Sequence, residues 1–105
     1  GPGAAAADRL AAFYAAMVDL LDQHLDVALV AETGDARFRT GAYAFWRAHL
    51  RVLLRAAGVP DPDDTLAEVL LAPLAGEFYR HLRDRGLTRR RLVATLTELA
   101  ARTLG

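Results

Sequence analysis

Residues 60–86 read PDPDDTLAEVLLAPLAGEFYRHLRDRG, and the way this stretch folds constrains everything around it. It opens with helix-start chemistry. Asp61 is a candidate cap, Pro62 suits a first helical position because its missing N–H would find no partner there, and Asp63 and Asp64 favour the positive end of the helix dipole. The pattern predicts one helix over 62–85, closed by Gly86. It is expected to kink at Pro73, whose ring removes a backbone hydrogen bond and crowds the carbonyl of Val69. Leu66, Val69, Leu70, Leu71, Leu74, Phe78, Tyr79 and Leu82 spread apolar groups over more than half of its circumference, an arc wider than one core is expected to cover. Ala72, Ala75 and Gly76 lie in that arc, and such small side chains let another helix approach closely.

The next helix continues the theme. Thr88 is its candidate cap, with Leu92, Leu96, Leu99 and Thr103 on one edge and Val93, Ala100 and Leu104 on the next. A small domain rarely leaves such patches open. The expected interface with a second copy is therefore Leu71, Ala72, Ala75, Gly76, Tyr79, Leu92, Leu96 and Leu99. The alternative is that both faces close within one subunit.

Toward the N-terminus, Leu10, Phe13, Tyr14, Met17, Val18, Leu21 and Leu25 recur at helical spacing over residues 4–24, with Asp19 and Asp22 off the stripe. A short helix follows over 26–32, with Asp26 as cap and Gly34 in the left-handed closing position. Asp35 then opens a helix to residue 57, ended by Gly58 and Pro60, whose apolar positions are Phe38, Ala42, Phe45, Trp46, His49, Leu50, Leu53 and Leu54. No β-type alternation, repeat or long linker is present. The expected fold is all-α, a five-helix antiparallel bundle dimerising through its last two helices. Gly1, Pro2 and Gly3 read as a tag remnant, so residues 1–7 are expected to be flexible and residues 8–105 to form one domain.

Within the third helix, GAYAFWRAH at 41–49 sets the chain's one Trp beside Tyr, Phe and His. Tyr43 and Trp46 share an edge, Ala42, Phe45 and His49 the neighbouring one, and the group is expected to face inward. Gly41 costs about 1 kcal/mol of helix propensity against Ala, which points to close approach of a backbone or room for a guest. The candidate ligand pocket is Tyr14, Met17, Ala42, Tyr43, Trp46, His49 and Phe78, apolar with polar tips. The alternative is that these aromatics fill the core.

Composition removes several function classes. Of 105 residues, 53% are hydrophobic and 25% charged, enough for one small core. Thirteen basic residues, all Arg, balance thirteen acidic ones, so no net field attracts nucleic acid or an acidic membrane. Cysteine is absent, which excludes disulfides and thiolate metal sites and suits an intracellular compartment. Serine is absent too, as is any Gly-rich phosphate loop, and no apolar run approaches the roughly 20 residues that span a bilayer.

Neither the histidines nor the arginine run indicates chemistry. His24, His49 and His81 fall on different helices. Glu77 and His81, four apart, are too common a pair to define a metal site, and His81 suits a solvent-facing helix C-terminus. No catalytic, metal or cofactor residue is assigned, and an enzyme is not expected. Arg80 to Arg91 invites a helix-turn-helix reading, but the second helix is a leucine ladder broken by Glu98. Arginines satisfying terminal carbonyls explain the run better.

The stretches LLDQHLDVALVAETGDARFRTGAYAFWRAHLRVLLRAAG, DTLAEVLLAPLAGEFYRHLRDRG and RRRLVATLTEL together resemble the C-terminal effector and dimerisation domain of TetR-type transcriptional regulators. The resemblance rests on the short helix from Asp26, on Trp46, Arg47 and His49, on Leu70 to Leu74, on the closing leucine helix, and on helix order and lengths. It implies a homodimeric, cytoplasmic bacterial repressor domain whose last two helices build a four-helix bundle with the partner. The preceding helices would enclose a small apolar or amphipathic effector. The family's N-terminal DNA-binding segment is missing, so this chain is expected to bind no operator, although an intact parent would. A structural helical dimerisation or protein-interaction module with a filled core is the alternative.

Overall fold

The computed structural model describes residues 3–105, and Gly1 and Pro2 of the expected tag remnant lie outside them. Among the described residues every regular element is helical: α1 (Ala4–Gln23), α2 (Leu25–Ala31), α3 (Gly41–Ala56), α4 (Thr65–Leu71), α5 (Gly76–Asp84) and α6 (Arg89–Leu104), with 3-10 turns at Ala36–Arg39 and Ala72–Leu74. Six helices stand where five were expected. Residues 4–7, within the segment expected to be flexible, form the first turn of α1, with Ala6 and Ala7 buried.

Helix α1 lies antiparallel along α6. Arg89 at the start of α6 pairs with Asp19 near the end of α1 at 2.8 Å. At the other end Gly3 sits so close to Leu104 that a Cβ there would fall 1.6 Å from the Leu104 carbonyl oxygen. Leu10, Tyr14, Met17, Val18 and Leu21 of α1 meet Leu92, Leu96, Ala100 and Leu104 of α6 in one core with Leu50, Leu53 and Leu54 of α3 and Ala67, Leu70 and Leu71 of α4. The four buried positions of α6 are spaced by four, the i, i+4 row that a helix presents to one neighbour.

Local chemistry sets most helix ends. Gly58 and Gly86 take φ of +71° and +87°. The N–H of the following residue then reaches back five positions, Val59 to Leu54 and Leu87 to Leu82, closing α3 and α5. The Thr88 hydroxyl accepts from the Arg91 N–H at 3.0 Å and caps α6. Asp61 also caps, but from outside: its two oxygens accept from the N–H groups of Leu66 and Ala67, both at 2.9 Å. Helix α4 therefore starts at Thr65 rather than at Pro62. Asp26 lies in the first turn of α2 and makes no side-chain cap.

Two expectations about continuity change. The expected helix 35–57 is interrupted at Thr40, whose extended backbone and hydroxyl, accepting from the Tyr43 N–H, begin a new helix. Residues 36–39 form a tighter turn of three residues per repeat. The shift in register swings Phe38 outward, 59% exposed, and carries Arg37 inward, 6% exposed.

At Pro73 the expected kink is a complete break. The 3-10 turn runs into extended Ala75 before α5 begins. Four carbonyls on the N-terminal side of the break, those of Val69, Leu70, Leu71 and Ala72, find donors. Ala72 N–H serves Val69, the Tyr14 hydroxyl serves Leu70 at 2.5 Å, Arg37 serves Leu71 at 2.8 Å, and Ala75 N–H serves Ala72. Leaving buried carbonyls unpaired would oppose the break; here two distant side chains permit it. Because α5 turns away to pack on α2 while α4 packs on α3, Leu70, Leu71, Leu74 and Tyr79 of the wide apolar arc of 62–85 are buried within the chain, whereas Val69 and Phe78 stay exposed.

Candidate functional site

A half-open groove of about 330 Å³ lies where α1, α2, α3 and the turn before α3 converge. From α1 it is lined by Met17, Leu20, Leu21 and His24, and from α2 by Val27, Ala28, Ala31 and the following Glu32. Arg37 and Thr40, Ala42 and Trp46 of α3, and Leu74 complete it. Most of this lining is apolar, and its polar side chains are Arg37, Glu32, Thr40 and the imidazole of His24.

Arg37 and Glu32 form a buried hub. Arg37 Nη1 donates to Glu32 Oε2 at 3.2 Å while Nη2 donates to the Leu71 carbonyl. The guanidinium carbon lies 5.2 Å from the centroid of the Tyr43 ring, a cation–π arrangement. Glu32 Oε1 accepts from the Gly76 N–H at 2.9 Å, at the first residue of α5. One ion pair thus holds both sides of the Pro73 break: Arg37 grips the end of α4 and Glu32 the start of α5. Gly76 packs closely on α2: a Cβ there would stand 3.4 Å from Ala28 Cβ and Glu32 Oε1 and 3.5 Å from Leu29, at ordinary contact distance.

Of the expected pocket residues, Met17, Ala42 and Trp46 line the groove. Tyr14 and Tyr43 do not. Tyr14 is buried in the core with its hydroxyl on Leu70, and Tyr43, also buried, donates to Glu68 Oε1 at 3.0 Å. His49 packs against Phe13 with the rings tilted by 54° and their centroids 5.2 Å apart, and Phe78 is exposed on α5. Phe45, expected to face inward, is 72% exposed. It follows Tyr43 by two residues, about 200° around the helix, so burying one exposes the other.

The remaining lining was not anticipated. Arg37 and Thr40 were hidden by reading residue 35 onward as regular α-helix, which assigns Arg37 to the solvent side, and Glu32 by the distance in sequence of its partner Gly76. The available signal was the sequence RFRT itself: a Thr preceding Gly41 is a cap, and a cap means that no helix runs through it.

The residues expected to meet a second copy divide as well. Leu71, Gly76, Tyr79, Leu92 and Leu96 are buried inside this chain, so they are not an open face. Ala72 is exposed, Ala75 half-buried and Leu99 36% exposed. Tyr79 donates to Asp22 Oδ1 at 2.5 Å, and Arg89 bonds Asp19 and Asp22. This polar seam joins α5, α1 and α6.

All three tyrosines are held neutral beyond their ordinary range. Burial raises Tyr14. Burial, then the hydrogen bond to Glu68 and its charge, raises Tyr43. Burial, followed by Asp22, pushes Tyr79 up to about 12. At the far end of α3, Arg51 forms an ion pair with Asp64. Its hydrogen bonds hold the Asp64 carboxyl below the usual range, and Asp64 takes the left-handed conformation, φ +64°, that Asp tolerates better than most residues. Arg83 donates to the Leu87 carbonyl at 2.9 Å, closing the end of α5.

Among the described residues no three His, Asp or Glu side chains gather at ligating distance, and no helix is long and apolar enough to cross a membrane. No family model, curated protein or solved structure matches the chain.

Proposed function

We propose that this chain is the ligand-sensing domain of a TetR-like transcriptional repressor, with the groove between α1, α2 and α3 as the effector site. The observation that carries the reading is the groove itself: 330 Å³ of mainly apolar surface, half enclosed, with a few convergent polar groups. The position of Trp46 in the lining supports this reading. An effector that prefers one arrangement of these helices would shift the equilibrium of an attached DNA-binding segment, and α1 is the element through which such a segment would connect.

Homodimerisation belongs to the same proposal but rests on less surface, since five of its eight expected residues lie in the chain's own core. Ala72 and Leu99 are what is left exposed of that face. Sedimentation at micromolar concentration separates the outcomes: a dimer supports assembly through this remainder, and a stable 11.4 kDa species removes it.

A second reading, a helical protein-interaction module with a filled core, is favoured by one observation. Tyr14 and Tyr43, expected to supply pocket tips, are locked by hydrogen bonds inside the structure. Thermal melting against a library of small amphipathic molecules decides between the two. A sensing domain gains several degrees with at least one compound through ligand linkage, and the gain disappears when Ala28→Phe fills the groove. A filled module shows no gain.

A further inference from the structure

We propose that the groove selects uncharged amphipathic molecules, an apolar body carrying a hydroxyl, amide or ester head, because its one charged pair is already neutralised. This rests on reading the groove as a small-molecule site. Arg37 and Glu32 both belong to the lining, their side chains are 7% and 15% exposed, and they face each other at 3.2 Å. Each is further balanced by its own surroundings. The Arg meets the Leu71 carbonyl and the Tyr43 ring face, and the Glu meets the Gly76 N–H.

A carboxylate entering such a site would lose its hydration and meet an Arg whose charge is already answered. An ammonium would meet a Glu in the same condition. Either introduces a charge without a counter-charge in a partly enclosed apolar space, which is strongly unfavourable. An uncharged head avoids that penalty and still finds partners. The guanidinium carries five N–H groups, of which the structure commits two. Trp46, in the same lining, adds an indole N–H donor. Thr40 contributes shape rather than bonding, because its hydroxyl already donates to Arg37 O and accepts from Tyr43 N.

Octanol, octanoate and octylamine share one apolar body and differ in head charge, and Trp46, the chain's one Trp, reports occupancy by fluorescence. Titrations at about pH 8, where octanoate is anionic and octylamine cationic, should show saturable binding of octanol at least about tenfold tighter than of either charged analogue. Any apolar site would favour octanol to some degree, so the diagnostic step is to unbalance the pair. Glu32→Gln keeps an acceptor for the Gly76 N–H while leaving Arg37 uncompensated, and should bring octanoate to equal or tighter binding than octanol. Arg37→Met should do the same for octylamine. Circular dichroism melting verifies that each variant is folded. A wild-type chain that binds octanoate or octylamine as tightly as octanol overturns the head-group rule and leaves the groove as a site, as does a folded Glu32→Gln variant with the wild-type order. If none of the three binds saturably and the wider library gives no thermal shift, the small-molecule reading falls and the head-group rule with it.

Discussion

The α1–α6 pair and the α4–α5 junction are stabilised in opposite ways. Along α1 and α6, Leu10, Val18, Leu92, Leu96, Ala100 and Leu104 contribute by burial, which is non-directional and scales with area. At the junction, Pro73 breaks the helix and the pieces are held by bonds of fixed direction: Tyr14 to Leu70, Arg37 to Leu71 and Glu32 to Gly76. A region held by area gives way gradually as atoms are removed. A region held by a few bonds to buried groups fails when one partner goes, because the group left behind remains buried without a partner. The groove borders the second kind of region, which makes its polar lining both a recognition element and part of the fold.

Substitutions that attack each region in turn sharpen the contrast. Arg37→Met should be the most severe, since it leaves Glu32 and the Leu71 carbonyl without their donor. Breaking a buried pair from one side costs about 3–5 kcal/mol, read as a fall in urea midpoint. Leu96→Ala, in the middle of the α1–α6 contact, should cost about 2–4 kcal/mol through lost burial and the cavity it leaves. A loss from Leu96→Ala clearly exceeding that from Arg37→Met would reverse the ranking of the two regions. Tyr14→Phe removes a single hydroxyl and keeps the ring, so about 1–2 kcal/mol is expected, from the Leu70 carbonyl alone.

The smallest effect at neutral pH, and the one most specific to the polar seams, is alkaline. Tyr14, Tyr43 and Tyr79 are all raised above the ordinary value of about 10. A raised folded-state pKa means that the native chain holds protons the unfolded chain releases. The stabilisation is complete below about pH 10 and is lost as pH climbs through the folded values, about 12 for Tyr79. Ultraviolet titration should therefore show little tyrosinate near pH 10, followed by a rise that coincides with loss of the helical signal. An early, independent rise of one tyrosine would show that its hydroxyl is open to solvent.

Where the chain's chemistry acts over a few residues, reading it in order worked. Gly58, Gly86 and Thr88 end or begin helices where expected, and Pro73 interrupts one. It failed where a period was extended through a break. Carrying the α3 pattern back to Asp35 placed Phe38 inside and ignored Arg37, and running one helix through Pro73 set the apolar groups of α4 and α5 on one continuous arc. Three of the seven expected pocket residues line the groove, Met17 from the apolar stripe of α1 and Ala42 and Trp46 from α3. Tyr14 and Tyr43 lie elsewhere because their hydroxyl partners, Leu70 and Glu68, are 56 and 25 residues away and leave no local trace. His49 and Phe78 lie elsewhere because helix packing sets one against Phe13 and leaves the other exposed.

Helical content, helix ends and the disruptive proline follow from interactions spanning at most a turn or two, and such interactions are written in consecutive residues. The burial of an arginine, the sharing of leucines between two helices of one chain, and the opening of a groove beside Trp46 depend on which distant segments meet. Nearest-neighbour chemistry holds no information about those meetings, because they are selected by the packing of the whole chain.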